Sequence, residues 1–140
     1  MTTDLAARFL DRSCYYLGVE YPAKIRAALQ TMSTEQLWWR PHPGANSAGN
    51  LVLHLCGNVR QWIISGVGGA PDQRERDAEF AAVSGGDVET LLAQLTATCA
   101  EACAVIAALS ADELAASRAI QGRDTNVFGA IYHVVEHFAG

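Results

Sequence analysis

The sequence predicts an all-α protein, a four-helix bundle with short extra helical turns, on three observations. Apolar residues recur at three- and four-residue steps through four long segments, and glycines, prolines and capping residues fall between those segments. No stretch shows the alternation of a half-buried strand, an internal repeat or a low-complexity tract. Half of the 140 residues are hydrophobic, enough to bury one core and too few for two, so residues 1–140 are expected to form a single domain.

The first segment covers residues 3 to 31, with Leu5, Phe9, Leu17, Tyr21, Ile25, Ala28 and Leu29 at helical steps and Thr3 or Asp4 as its cap. Pro22 lies inside it and removes one backbone hydrogen bond, which predicts a kink near Gly18 rather than a break. Ser33, Thr34, Glu35 and Gln36 begin a short helical turn, and the RPHPGANS stretch after it, with two prolines and a glycine, is a loop. The second long helix opens at Asn46 or Ser47 and runs to about Ser65, where GVGGAPD ends it. Its expected core stripe is Leu51, Leu55, Val59 and Trp62, and at ~100° per residue His54, Asn58 and Gln61 lie along one flank of that stripe.

Residues 72 to 84, charged and then alanine-rich, read as a loop with one helical turn. SGGD supplies the cap of a third helix from Asp87 to about Leu109, burying Leu91, Leu95, Cys99 or Ala102, and Ile106. Ser110 to Glu113 resembles a capping box, IQGRDT is a polar loop, and Thr125 is the expected N-cap of the last helix. That helix, from about Asn126, carries Phe128, Ile131, Val134, Val135 and Phe138 on one face. It spans about 22 Å at ~1.5 Å per residue, roughly half the first helix, and its pattern is in full stride at Gly140, so the sequence is expected to continue.

The charge pattern narrows the partners. Net charge is −5 and the ten Lys and Arg are scattered, so no basic stripe offers itself to nucleic acid or to anionic lipid. MTTDLAARFLDR lacks the uncharged apolar stretch of a signal peptide, and no segment approaches ~18 consecutive apolar residues, which leads to the expectation of a cytoplasmic protein with no membrane partner. Cys14, Cys56, Cys99 and Cys103 show no CxxC spacing and are read as structural thiols.

The chemistry-bearing residues are His54, in GNLVLHLCGN, and His133 with His137, in YHVVEHF. An i, i+4 pair on a helix points two imidazoles the same way, and one more from a second helix closes a facial triad. Three neutral imidazoles on rigid helices bind a divalent transition metal and leave positions open for water or substrate, whose pKa the metal lowers. Asn58, Gln61 and Glu136 are candidates to accept the second ring N–H of a ligand, ordinary surface polarity being the alternative for Glu136. Trp38, Trp39, Arg40 and His42 flank the loop into the His54 helix and are candidate pocket walls, with plain core the alternative for the tryptophans. Arg40 and Arg60 are candidate anion binders, with surface salt bridging the default for each.

LWWRPHPGANSAGNLVLHLCGNVRQWIISGVGGAPDQRERDAEF followed by IYHVVEHF resembles the DinB/YfiT-like superfamily, small bacterial four-helix proteins with a metal site made by three histidines, most specifically over residues 37 to 80. The resemblance implies one ligand in the context of His54 and two on the last helix at i, i+4. The family's usual pattern there is His, three residues, His, a small or basic residue, Gly and Gln. It lays its first histidine on His137 and its second one position past Gly140, leaving His133 an extra histidine one turn earlier. Two triads stay open: His54, His137 and a histidine past Gly140, or His54, His133 and His137. On the helical wheel His137 lies closer than His133 to the apolar centre at Ile131, Val134 and Phe138.

The resemblance also implies a Zn, Ni or Fe cofactor and a small-molecule substrate such as a low-molecular-weight thiol, since some relatives are thiol transferases or thiol-dependent isomerases. Three function classes follow: a metal-dependent enzyme that activates a thiol or water, as a thiol transferase or hydrolase; a metal-binding or stress-associated protein without turnover; and an interaction module that forms a homodimer and carries its histidines incidentally. The fold alone does not choose among them.

Overall fold

The computed structural model of the chain describes residues 2–140, with side chains from Leu5 onward, so the cap expected at Thr3 or Asp4 lies outside the described side chains. α1 (Thr2–Tyr15) and α2 (Tyr21–Leu29) continue into one another through a π-helical turn, Tyr16–Glu20. Pro22 has no N–H to give the carbonyl of Gly18, and the hydrogen-bond register widens around that gap: Tyr21 N–H reaches back five residues to Tyr16 O. The irregularity expected near Gly18 is this wide turn. A Cβ at Gly18 would stand 3.1 Å from Cys103 Sγ, so the glycine also lets the turn lie close on its neighbour.

Two reciprocal capping boxes start the next helices. Ser33 with Gln36 opens α3 (Thr34–Leu37), and Ser47 with Asn50 opens α4 (Ala48–Val59), which ends in a second π-helical turn, Arg60–Ser65. α5 (Arg76–Ala81) is the single turn foreseen in the charged stretch, and Asp87, accepting from Thr90 N–H, caps α6 (Val88–Ala107). After a 3₁₀ turn at Asp112–Ala115, where Ser110 N–H donates to Glu113 Oε1 at 3.0 Å, the chain reaches α7 (Val127–Ala139). α1 packs on α6, α6 on α4, α4 on α7 and α7 on α1, which closes the four-helix bundle.

Four local expectations are corrected. IQGRDT is not an irregular loop but the turn of an antiparallel hairpin, β1 (Ser117–Ile120) with β2 (Arg123–Asn126), Ile120 opposite Arg123. Gln121 (φ 53°) and Gly122 (φ 72°) both take the left-handed conformation that a two-residue hairpin turn demands. Thr125 is consequently a strand residue, and the N-cap of α7 is Asn126, whose Oδ1 accepts from Gly129 N–H at 2.7 Å. On α4 and the π-helical turn that extends it the buried face is Val52, Cys56, Val59, Trp62 and Ile63, and Leu51 is 49% exposed. The rotation follows from Asn50, which is fully buried because its Nδ2 donates to Glu79 O and Ala82 O at 2.9 and 2.7 Å. Phe128, 46% exposed, lies at the rim of α7 and stacks on Phe9.

The core falls into two clusters along the bundle. One gathers Leu17, Val59, Trp62, Ile63, Ile131 and Val134; the other gathers Leu37, Val52, Leu91, Leu92 and Leu95. Phe138 touches both, so His137 beside it sits at their junction. α6 is long and apolar enough to cross a membrane by length and composition, yet here it is the helix against which α1, α2 and α4 pack, with Leu91, Leu95, Cys99, Ala102 and Ile106 buried as expected.

Candidate functional site

α4 and α7 bring His54 and His137 together, with the two Nε2 atoms 2.9 Å apart and the rings edge to face. For a metal with M–N distances of about 2.0–2.1 Å, two nitrogen ligands stand about 3.3 Å apart at a tetrahedral angle and about 2.9 Å apart at a right angle, so the pair lies at the short end of the spacing for two adjacent ligands and is also within direct hydrogen-bond distance. Phe80 of α5 covers the other side of the His54 ring at 4.7 Å between centroids. Among the described residues no group of three or more His, Cys, Asp or Glu side chains is arranged to hold a metal ion.

Behind His54 lies a polar network of which the sequence named only Gln61, and Gln61 reaches Arg74 and Asp72 rather than accepting a ring N–H. His54 Nδ1 is 3.2 Å from Glu79 Oε1 and 3.2 Å from Arg74 Nη2. Arg74 grips Glu79 with two bonds, Nε to Oε2 and Nη2 to Oε1, each 3.0 Å, and donates Nη1 to Gln61 Oε1 at 2.9 Å. Gln61 in turn donates Nε2 to Asp72 Oδ2 at 3.0 Å. The Arg74 side chain is only 4% exposed and that of Glu79 11%, so both charges are compensated by each other rather than by water. Gly57 makes room for this: a Cβ there would overlap Glu79 Oε2 and stand 2.9 Å from Arg74 Nε. That glycine in mid-helix, three residues from His54, is the sequence signal that another element comes close at this point.

The remaining site candidates are distributed as follows. His133 lies beside the pair rather than in it, stacked on Trp62 at 3.8 Å, with Nε2 3.5 Å from Asn58 Nδ2. Asn58 is buried and its Oδ1 has no hydrogen-bond partner. Glu136 is exposed and lines a cleft of about 400 Å³ with His133, His137 and Gly140. Trp38 and Trp39 are not brought to the histidines. Trp38 lies under Gly49 and donates Nε1 to Gly86 O at 3.0 Å, and Trp39, 65% exposed, lines a groove with Ala28 and Met32.

Arg40 forms neither an anion site nor a surface ion pair: its Nη2 donates to Phe80 O and Ala82 O at 2.7 and 2.9 Å, fastening the end of α5 beside His54. Arg60 makes the surface pair expected by default, 2.8 Å from Glu101. His42 Nδ1 accepts from Gly44 N–H in the loop.

Burial pushes His54 below the ordinary 6.5 despite its contact with Glu79, pushes His137 down with the neighbouring His54 adding to the effect, and pushes His133 down with Arg123 adding. All three are therefore mainly neutral imidazoles at pH 7, the form that binds metals. The cysteines go the other way. Burial raises Cys56 to about 11 and Cys99 and Cys103 to about 12, so these thiols stay protonated and, free of disulfides, serve as packing.

Fold and site together define a class: four-helix bundles with a paired-histidine site between the second and last long helices. Residues 19–139 match the DinB superfamily, and the chain belongs to that superfamily. Among curated proteins none matches this chain.

Proposed function

We propose that the chain is a divalent-metal protein in which His54 and His137 hold the cation through Nε2, and that it acts as a metal-dependent enzyme on a low-molecular-weight thiol or water, in the manner of a thiol transferase. The observation that carries the reading is the 2.9 Å approach of the two Nε2 atoms from different helices, with both rings neutral at pH 7. Bound there, a Zn, Ni or Fe cation supplies Lewis acidity that lowers the pKa of a thiol or water. His133, stacked on Trp62 and engaged by Asn58, walls the cleft instead of ligating. Glu136, at the rim of that cleft, supplies a carboxylate that takes up the proton of the incoming nucleophile. A cytoplasmic setting is part of the reading, supported by four free cysteines.

A second reading is favoured by the Arg74 guanidinium standing 3.2 Å from His54 Nδ1: a hydrogen-bonded histidine pair that ties α4 to α7 in a protein without turnover. Elemental analysis of protein purified without a His tag separates the two. The metal reading expects close to one divalent transition metal per chain, and turnover of a thiol with an electrophilic acceptor that disappears in His54→Ala and His137→Ala. It fails if metal is negligible and added Zn or Ni raises the melting temperature no more in the wild type than in His54→Ala.

A further inference from the structure

We propose that Glu79, gripped by Arg74, is a positioning residue: it accepts the Nδ1–H of His54, selects that tautomer, and leaves the Nε2 lone pair facing His137. What the lone pair is used for rests on the metal-binding reading; the selection itself rests on geometry alone.

A neutral imidazole carries one N–H, and its position decides which nitrogen has a lone pair to offer. Two partners compete at Nδ1, Glu79 Oε1 and Arg74 Nη2, each 3.2 Å away. With the proton on Nε2, Nδ1 accepts from Arg74 but presents its lone pair to a buried carboxylate oxygen. Placing the proton on Nδ1 instead gives a charge-assisted N–H to carboxylate bond, stronger than its neutral counterpart. Arg74 does not need the histidine, because Nε, Nη1 and Nη2 already have Glu79 and Gln61 as acceptors. The contact is shielded from water, with the His54 side chain 13% and that of Glu79 11% exposed, so the carboxylate acts at nearly full strength.

An independent feature shows the carboxylate held in place. Glycine is unfavourable in a helix interior, yet Gly57 occupies a position of α4 where a Cβ would overlap the Glu79 carboxylate. Asn50 and Arg40 add four further bonds to the carbonyls of Glu79, Phe80 and Ala82 around the C-terminal turn of α5, so the backbone that presents Glu79 is anchored from two sides. A ligand histidine backed in this way loses about 10- to 100-fold in metal affinity when the backing group is removed.

The test uses ¹⁵N-labelled, metal-free full chain at pH 8 and reads the tautomer of His54 from two-bond ¹H–¹⁵N correlations, in the wild type, Glu79→Gln and Gly57→Ala, with zinc affinity measured on the same samples. The proposal expects His54 as the Nδ1–H form in the wild type, a shift toward Nε2–H in both variants, and zinc binding weakened about 10- to 100-fold. Gly57→Ala leaves every polar group intact, so it keeps the test decisive if Glu79→Gln does not fold. A wild-type His54 protonated on Nε2 overturns the proposal, as does an Nδ1–H form that persists in both variants. If the tautomer behaves as expected but the wild type binds no zinc, the positioning role stands and the metal reading falls. If zinc binds while His54 is Nε2–H, the reverse holds.

Discussion

α7 carries two histidines one turn apart, and the two turns meet different surroundings. Their rings are nearly parallel, 7° between planes and 6.2 Å between centroids, so the helix delivers them in the same direction. His137 meets His54, which is backed by Glu79, Arg74 and Gln61. His133 meets the face of Trp62 and the amide of Asn58. Helical spacing aims a side chain, but the element standing across from it assigns the role. A sequence motif of two histidines at i, i+4 fixes the first and leaves the second open.

The largest way to break the contrast is to remove the charge that organises the polar turn. Arg74→Met leaves the Glu79 carboxylate buried without its partner and should cost about 3–5 kcal/mol in denaturant unfolding. Arg60→Met, which breaks an ion pair whose side chains are half exposed, should cost no more than about 1 kcal/mol. Equal losses in the two variants would mean that the corner behind His54 is not a buried network at all.

His133→Ala sharpens the contrast from the other side. Losing the stack on Trp62 should lower stability by about 1 kcal/mol beyond the area lost, while zinc affinity stays near that of the wild type. Asn126→Ala removes the cap that fixes where α7 begins and should cost about 1 kcal/mol, loosening both turns together. A loss confined to one turn, read by hydrogen exchange along α7, would contradict that.

Acidification gives a smaller, graded effect. The three histidines are held below 6.5 in the folded protein, chiefly by burial, so the unfolded chain takes up more protons as the pH falls through 6.5. Stability of the metal-free protein should therefore decline from pH 7 toward pH 5 and level off below the lowered folded values. Replacing His54 and His137 by Gln should flatten most of that slope, and replacing His133 should remove only its own share. A slope unchanged by all three replacements would place the acid sensitivity elsewhere.

How much of this was legible in the sequence depends on whether the signal is local. Ser33, Ser47 and Asp87 announced their helices because capping is settled within four residues. His54 and His137 were named from their local sequence contexts, although the apolar stripe expected on α4 proved to be rotated. Glu79 and Arg74 were not, since they stand in a stretch whose charge reads as solvated and becomes buried only through each other and through Gly57. The hairpin at 117–126 escaped because its strands are four residues long and mostly exposed, and its turn is Gln-Gly rather than the familiar Asn-Gly. The rotation of α4 escaped because Asn50, a polar residue, claims a core position through bonds to residues about thirty positions away.

The central claim is that His54 and His137, and not His133, hold a divalent cation. Its most direct test is a calorimetric zinc titration of metal-free, tag-free wild type beside His54→Ala, His137→Ala and His133→Ala. The account predicts one site in the wild type and in His133→Ala, and binding weakened by more than about 100-fold in each of the other two, beyond what loss of a backing group alone produces. No zinc binding by the wild type, or binding that survives without His54 and His137, would contradict it.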